Sequence, residues 1–494
     1  MRIPSWRKAS KPAVFRFARL LLAAVLLPAA ARAQHAEPAL TPPVTGRMRR
    51  PPYPAPATPD TVRAHSLAEA FARGRWHGRV RNYTMATLNQ GSYPDYYANG
   101  LGAGGRFETA SFHGLQLGAG GFFWANLASN NLATPDTLTG AVSRYEVGLF
   151  DVTHPGRRRL TGRAEELFLR YRWRQSTATL GRQLLSTPLL NPQDGRLSPN
   201  YAQGLWLEFR ELPRTTFSAG WLTGVAVRST TDWTSVAGSV GLYPAGVTET
   251  GQRALYAGQL RSRGLGLAGI SRQWGPRTTA QVWNYYADNL FNASFAELTT
   301  GRAVGAGTLT LGAQYHYQRT IGNGGHPDLQ RAYSAPGRQA HALSARLGYQ
   351  LGPWSLSSNY TRITRTGRFL FPREWGREPF YTFLPREREE GFGGLDAAAL
   401  LASYSFSPGL KAEAGYGHYY LPNVRNTRLN KYGMPSYRQL NASLTYAFPG
   451  GATGLRGQLL YVYKGALGNT YGEARYVVNK VDVHLLNLIL NYDF

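Results

Sequence analysis

The feature that most constrains this chain is an alternation of apolar and polar residues that recurs from about Arg75 to the last residue. Between residues 308 and 318, threonine, glutamine and histidine alternate with leucine, alanine and tyrosine. The pattern returns at 344–351 and at 440–448. A period of two residues places the two sets on opposite faces of a strand, so it predicts β-strands with one apolar face. A soluble β-sandwich would share this property.

Three further features favour a membrane over a soluble sandwich. Tyrosine and tryptophan recur at the ends of the apolar faces, as in interfacial girdles. Short turns such as Pro408-Gly409 alternate with long polar segments such as 365–394, which we expect to be outer loops. Finally, the chain ends on a strand whose apolar face carries Tyr492 and Phe494. We therefore predict an all-β fold, a transmembrane antiparallel β-barrel.

The length of the alternating region sets the size of this barrel. Two strands, a short turn and a long loop together need about 46 residues. Residues 75–494 then give about 18 strands, with 16 as the lower bound. Barrels of about 16–18 strands leave an aqueous channel, whereas about eight strands are filled by side chains.

The N-terminal part of the chain has three segments. Residues 1–33 combine a basic region, a short apolar run and Ala31-Arg32-Ala33, which predicts a cleaved signal peptide. Residues 34–65 are proline-rich, and we interpret them as a disordered or extended periplasmic lead. Residues 66–74 predict a short helix, because Ser66 and Glu69 have the spacing of a capping box.

Charge and composition exclude several classes of function. The formal net charge is +27, and removal of the signal peptide leaves about +20. Export argues against a nucleic-acid partner for such a basic chain. The absence of cysteine removes disulfides and thiolate metal sites. Two glycine-rich segments, 100–105 and 264–269, precede strand-like residues and not the helix of a nucleotide site. We expect no cofactor and no metal.

The basic residues point to the lumen. Arg79 and Arg81 share one face of a predicted strand, and Arg170, Arg172 and Arg174 share one face of another. Charge on the lipid face costs about 2–4 kcal/mol at mid-bilayer, so these side chains should point inward. Two interpretations of these arginines are open: successive binding positions for an anionic group, or solvated residues balanced by nearby glutamates. Loop acids at 387, 389 and 390 would offset the charge at the mouth.

Four stretches of the sequence, 66–84, 98–114, 179–199 and 204–222, resemble the OprD-like family of substrate-specific outer-membrane porins. The resemblance implies a monomeric barrel of about 18 strands, consistent with the size above. It also implies loops that fold inward and a ladder of basic side chains that passes small carboxylate-bearing solutes. The insertion at 129–163 and the proline-rich lead depart from the family pattern.

The resemblance also nominates individual residues. Arg170, Arg172, Arg174 and Arg182 are candidate members of the ladder. Asn191, Asp194 and Arg196 are candidates for an inward loop, with a local salt bridge as the alternative for Asp194 and Arg196.

We therefore expect an integral outer-membrane protein of a Gram-negative bacterium that takes up small anionic or zwitterionic solutes passively, such as amino acids, peptides or organic acids. The alternatives are a barrel enzyme, such as a lipid hydrolase, and a closed structural or adhesin barrel. We do not expect an enzyme, because neither H-E-x-x-H nor G-x-S-x-G occurs. The expected partners are the lipid bilayer and the barrel assembly machinery, which would read Tyr492 and Phe494. We expect a monomer, with a trimer as the alternative.

Overall fold

A computed structural model describes residues 63–157, 159–192 and 195–494. The predicted signal peptide and residues 34–62 of the lead lie outside these ranges. The chain forms a closed antiparallel barrel of 18 long strands, which confirms the predicted fold. The strands are β1 Arg75–Asn89, β2 Tyr96–Glu108, β3 Leu115–Ser129, β4 Thr161–Trp173, β5 Ser176–Gln183, β6 Tyr201–Phe209, β7 Thr215–Ala226, β8 Leu265–Trp274, β9 Thr278–Ala287, β10 Phe291–Val304, β11 Gly307–Thr320, β12 Gln339–Leu351, β13 Trp354–Ile363, β14 Leu395–Ser405, β15 Leu410–Tyr420, β16 Tyr437–Ala447, β17 Leu455–Ala466 and β18 Val483–Asp493.

The barrel closes between its first and last strands. β1 pairs with β18 in an antiparallel register that sets Arg79 opposite Asp493. The pairing extends past the last strand, because Gly78 and Phe494 exchange two backbone hydrogen bonds of 2.7 and 3.0 Å. Closure leaves the long strands without a free edge, as a membrane-spanning sheet requires.

The predicted alternation is the alternation of the two barrel faces. On β11, Leu311 is 48% exposed on the outside, whereas Gln314 on the opposite face is 3% exposed. Outward leucine, alanine and tyrosine form the surface that meets lipid, and inward polar residues form the lumen wall. In the described part of the chain, no helix combines the length and hydropathy needed to cross a bilayer.

The two ends of the barrel differ. Turns of a few residues join the strands at the end where β1 begins and β18 ends, and we call this the periplasmic end. Long loops join the strands at the other, extracellular end. Four of these long extracellular loops are L2 (residues 130–160), L3 (184–200), L4 (227–264) and L7 (364–394).

Short helices and strands lie outside the 18 long strands of the barrel. The helix α1, Leu67–Ala72, begins after Ser66, whose Oγ accepts a hydrogen bond from the Glu69 amide at 3.1 Å. Arg63–Ala64 pairs in parallel with Ser111–Phe112. In L4, Trp233–Ser235 pairs with β7 and precedes the one-turn helix α2, Val236–Ser239. Three short 3-10 turns lie at Val147–Leu149, Gly450–Ala452 and Ala474–Tyr476.

L7 folds into the lumen, contrary to the expectation of an exposed outer loop. Phe369, Phe371 and Trp375 of L7 are at most 4% exposed and belong to one core with Tyr285 and Phe291 of the wall. Burying one large apolar side chain contributes about 1.5–3 kcal/mol, so this core holds L7 firmly inside the barrel. L2 also folds inward, and its apolar residues pack in a second core against strands on both sides of the β1–β18 closure. Together these loops fill much of the extracellular half of the lumen.

Candidate functional site: a basic cavity inside the barrel

A cavity of about 940 Å³ remains in the periplasmic half of the lumen. Its wall is formed by strands β10 to β18, by β1 and by the start of β9. Its extracellular side is formed by Pro188, Pro192 and Arg196 of L3 and by residues 377–386 of L7. The in-folded loops therefore define where the wide part of the lumen ends.

The cavity has a surplus of positive charge. Among the residues that the structure describes, eight basic and three acidic side chains line it. The basic residues are Arg81, Arg196, Arg277, Arg346, Arg377, Arg386, Lys411 and Arg456, and the acidic residues are Glu297, Glu413 and Asp493. They come from several strands, from the turn before β9 and from loops L3 and L7, so the cluster exists only in the folded barrel.

Arg346 illustrates how the wall holds a guanidinium in place. Its Nε donates a hydrogen bond to Asn359 Oδ1 at 2.9 Å, and its guanidinium carbon lies 4.7 Å from the centre of the Tyr381 ring. The Tyr381 hydroxyl in turn donates to Glu297 Oε1 at 2.7 Å. A fixed positive group and a fixed negative group thus lie on either side of one tyrosine.

L7 contributes two more guanidinium groups, each beside an aromatic ring. Arg377 lies 3.8 Å from the centre of the Phe383 ring. Arg386 donates to the Tyr83 hydroxyl and, at 3.0 Å, to Asn487 Oδ1. Stacking on an aromatic face stabilises a cation and restricts its side chain. These groups are therefore preorganised on the cavity wall.

Asn191 fastens L3 to L7. Its Nδ2 donates to the Arg377 carbonyl at 2.8 Å, while its Oδ1 accepts from the Arg377 amide at 3.1 Å. Its backbone amide donates to the Trp375 carbonyl at 3.1 Å. Gly376 permits this contact, because a β-carbon there would lie 2.6 Å from the Leu189 carbonyl oxygen. We call this set of contacts the L3–L7 clasp.

The structure brings only part of the predicted site to the cavity. Arg79 and Arg81 both face the lumen, as their strand pattern predicts, and Arg81 lines the cavity. Arg79 is 1% exposed and donates a hydrogen bond to the Leu197 carbonyl at 3.1 Å. This bond ties L3 to β1. Arg196 lines the cavity, and Asn191 forms the clasp. Asp194 lies outside the described residues.

Arg170 and Arg172 face the lumen on a different part of the wall. Arg170 lies 3.5 Å from Glu108 and 4.5 Å from the centre of the Phe168 ring. Arg106 joins the same group, at 3.8 Å from Glu108 and 3.6 Å from Glu166. We call this group on β2 and β4 the balanced wall. Neither Arg170 nor Arg172 lines the cavity.

Two predicted ladder residues do not face the lumen. Arg174 lies in the two-residue turn after β4, where its φ of 46° belongs to the turn and not to a strand. Arg182 lies on the outer face of β5, because it follows the outward Leu180 by two residues. There it donates to Gln203 Oε1 at 3.1 Å and lies 4.7 Å from the centre of the Trp233 ring.

The acids of L7 lie inside the barrel and not at its mouth. Glu387 accepts from Arg144 of L2 at 2.8 Å and from Lys464 of β17 at 3.0 Å. Burial by itself would raise the pKa of the Glu387 carboxyl, but the charges of Arg144 and Lys464 outweigh burial and lower it to about 2. Burial raises the pKa of the Glu389 carboxyl to about 8, and the nearby Glu378 adds to that shift.

Sequence reasoning missed most of the cavity, although part of the signal was present. Arg346 and Asn441 occupy the polar face of alternating segments, so their inward direction was readable. Arg377 and Arg386 could not be placed in this way, because their position depends on the path of L7. Among the described ranges, no three histidine, aspartate or glutamate side chains come together to hold a metal ion.

Comparisons with known proteins agree with this architecture. A family model described as outer membrane porin, OprD family, matches residues 137–418, more than half of the chain. OpdK of Pseudomonas aeruginosa, solved with vanillate, superimposes with a TM-score of 0.66 at 18% identity, over 86% of this chain and 99% of that one. OccK9 (OpdG) of the same organism gives 0.67 at 17% identity, again over 86% and 99%.

OccAB4 of Acinetobacter baumannii gives a TM-score of 0.66 at 14% identity, over 85% of this chain and 98% of that one. At such low identity these structures support the fold alone. A search of curated proteins found no match. The match to the family model over most of the barrel, together with the closed 18-strand architecture, shows that this chain belongs to the OprD family of outer-membrane porins.

Proposed function

We propose that this porin passes small carboxylate-bearing solutes passively through its lumen. The observation that carries this proposal is the composition of the cavity wall, whose described residues include eight basic and three acidic side chains. Porins of this family are channels for substrate-specific uptake and are not enzymes. The finer claim, that the solutes carry a carboxylate, rests on the charge of the cavity.

The chemistry of arginine suits this task. A guanidinium group offers a planar fork of donors that matches the two oxygens of a carboxylate. In water, two unit charges 4 Å apart attract by only about 1 kcal/mol, so one contact in a wet lumen holds a solute weakly. Several such contacts in succession guide an anion without trapping it. Basic groups on different strands and loops therefore provide a pathway of weak stations.

An acidic group beside this pathway suits solutes that also carry an amine. Glu297 accepts from Gln281, Gln314 and Tyr381, so its carboxylate is held on the wall close to Arg346. An ammonium group could pair with Glu297 while the carboxylate of the same solute pairs with Arg346. Zwitterionic amino acids and peptides, as well as simple organic acids, fall within the proposed class.

The direct test combines two measurements on the purified, folded barrel. Planar-bilayer recording should show stable single-channel steps with a reversal potential that indicates anion preference. Liposome swelling should be faster with a small carboxylate than with its amide of the same size. Conductance with no difference between carboxylate and amide would contradict the proposed solute class. A folded protein that never conducts would contradict the channel itself and favour a closed structural barrel or a barrel enzyme.

We propose further that residues 1–33 direct export and are removed, and that Tyr492 and Phe494 form the signal read by the assembly machinery. Phe494 lies against Gly78, where a β-carbon would come within 2.2 Å of the phenylalanine ring. Deletion of Phe494 should leave export intact but reduce the amount of barrel in the outer membrane. Equal outer-membrane yields of the deletion and the wild type would contradict this role. We expect the assembled porin to be a monomer, with a trimer as the alternative.

A further inference from the structure

The outer surface of the barrel carries a belt of basic and imidazole side chains at the extracellular end of strands β11 to β18. Each member lies on the lipid-facing side of its strand, within three residues of the strand end. The belt consists of Arg319, His341, Arg362, His418, Arg438 and His484. It therefore lies where the apolar band of the barrel gives way to the aqueous loops.

The belt includes little negative charge. The corresponding outward residue of β14 is Asp396, whose carboxylate accepts from Arg362 at 2.9 Å and from the Tyr360 hydroxyl. The corresponding residue of β17 is Gly465, where a β-carbon would lie 3.1 Å from Arg438 Nε. The Arg438 guanidinium thus extends along the outer surface over Gly465, next to His418 on the neighbouring strand.

The three histidines of the belt share one arrangement. A tyrosine hydroxyl lies 2.8 Å from a ring nitrogen in each of the pairs Tyr315–His341, Tyr416–His418 and Tyr461–His484. When the tyrosine donates, the second ring nitrogen of a neutral imidazole carries the proton and becomes a donor. Tyrosine is also the residue that sits at the boundary between lipid tails and headgroups. The three tyrosine–histidine pairs thus present imidazole N–H donors at the depth of the lipid headgroups.

The other half of the barrel lacks this belt. On strands β1 to β10, the corresponding outward positions include one basic residue, Arg182, which lies against the ring of Trp233. The belt is therefore a property of one side of the barrel. A general need for charge at the membrane boundary would distribute such residues around the whole circumference.

We propose that this belt binds the phosphate groups of the anionic glycolipid that forms the outer leaflet. Arginine binds phosphate oxygens through paired hydrogen bonds, and imidazole donors add further contacts. A lipid of the outer leaflet places its phosphates at the level of the belt and its acyl chains along the outward leucines below. Positive or donor groups on six of these eight strands, with Asp396 and Gly465 at the other two positions, match such a flat, multiply phosphorylated surface. This role concerns the outer face and is independent of the solute pathway.

The test compares lipid binding by matched variants of the whole folded barrel. R319Q/R438Q removes two arginines of the belt, and R182Q/R272Q removes two outward arginines elsewhere, one of them near the periplasmic end of β8. Native mass spectrometry would measure binding of bis-phosphorylated lipid A and of its phosphate-free form to each protein. Affinity of R319Q/R438Q for the phosphorylated lipid should fall at least fivefold, while R182Q/R272Q and the phosphate-free lipid show no such difference.

Equal binding of the two lipid forms by the wild type would overturn the proposal, and so would an equal loss of affinity in both double variants. Full competition by inorganic phosphate at lipid-like concentrations would also overturn it, because it would indicate a site for free anions. A second variant, H341Q/H418Q/H484Q, tests the same belt if the arginine variant does not fold. It should weaken binding of the phosphorylated lipid in the same direction. Unchanged binding in this triple variant would remove the histidines from the site.

Discussion

The balanced wall and the cavity are both arginine-bearing parts of one lumen, yet they are built differently. On the balanced wall, Arg106 and Arg170 lie within 4 Å of Glu108 or Glu166. The described lining of the cavity has eight basic and three acidic residues, with one ion pair of 2.9 Å between Lys411 and Glu413. Arg346 and Arg377 lie over aromatic rings. The first arrangement balances charge inside the wall, whereas the second gives the described cavity lining an excess of positive charge.

This difference shows that an inward arginine is not by itself a solute-binding residue. A guanidinium paired with a carboxylate has already satisfied part of its binding capacity, and its removal exposes an unpaired acid. A guanidinium stacked on an aromatic ring keeps its positive charge, because the ring brings no opposing full charge. Replacing an arginine of the balanced wall should therefore lower the stability of the barrel. Replacing an arginine of the cavity should lower the carboxylate flux.

The largest effect on flux is expected from the cavity. Replacing Arg81, Arg346 and Arg377 together with glutamine removes three stations of about 1 kcal/mol each in a wet lumen. Carboxylate flux should fall about tenfold or more, and the reversal potential should shift toward cations. Liposome swelling and bilayer recording measure both quantities, with an uncharged solute of equal size as the control. Unchanged ion preference would place the selective groups elsewhere.

The L3–L7 clasp should have the next largest effect. Asn191→Ala removes the side-chain contacts to the backbone of L7, so L7 should move more freely above the cavity. We expect noisier single-channel currents and a change in mean conductance of about twofold, because the constriction is no longer fixed. Asn423→Ala, which removes an exposed asparagine with a bond to Tyr471, is the matched control. Identical traces for both variants would mean that the apolar core alone holds L7.

The balanced wall should affect stability more than flux. Arg170→Gln leaves Glu108 with less compensation in a poorly solvated place, at a cost of about 1–3 kcal/mol. Thermal unfolding should therefore occur at lower temperature, while carboxylate flux stays within a factor of two. Adding Glu108→Gln should restore part of the lost stability, which a double-mutant cycle would measure. A tenfold loss of flux in Arg170→Gln would return this residue to the solute pathway.

The last effect depends on pH and concerns Glu389 in L7. Burial raises the pKa of its carboxyl to about 8, above the usual value of 4.5. An acid whose folded-state pKa is raised destabilises the fold progressively as pH rises from the unfolded value to the folded value. Docking of L7 should therefore weaken between pH 4.5 and 8, and Glu389→Gln should remove this dependence. Limited proteolysis of L7 across this range, in wild type and variant, measures it.

Strand-level features of the fold were predictable, because a period of two residues decides which side chains share a face. The inward positions of Arg79, Arg81, Arg170 and Arg172 follow from it. The same period of two places Arg182 on the outer face with Leu180. The family resemblance assigned Arg182 to the ladder, and the alternation in its own strand already contradicted that assignment. Arg174 was misplaced because β4 ends one residue earlier, and strand ends leave only a weak trace in sequence.

The cavity could not be predicted in the same way, because it is assembled from residues distant in sequence. Arg346 and Arg456 meet through the closure of the sheet, whereas Arg377 and Arg386 enter with L7. One clue was available: the segment 369–383 is rich in phenylalanine, tryptophan and tyrosine, which is unusual for a solvated outer loop. Apolar content of this kind indicates a loop that folds inward, but it does not give the path of the loop.

The pairing of β1 with β18 has a consequence for the biogenesis of the protein. The two strands that close the barrel lie at opposite ends of the barrel sequence, so closure requires strand pairing across more than 400 residues, such as Arg79 with Asp493. Contacts of such long range form slowly, and they cannot form before the last strand has been synthesised. Until then β1 presents an unpaired edge that any other nascent strand could join. The chain is therefore most vulnerable to aggregation in transit, before it reaches the bilayer.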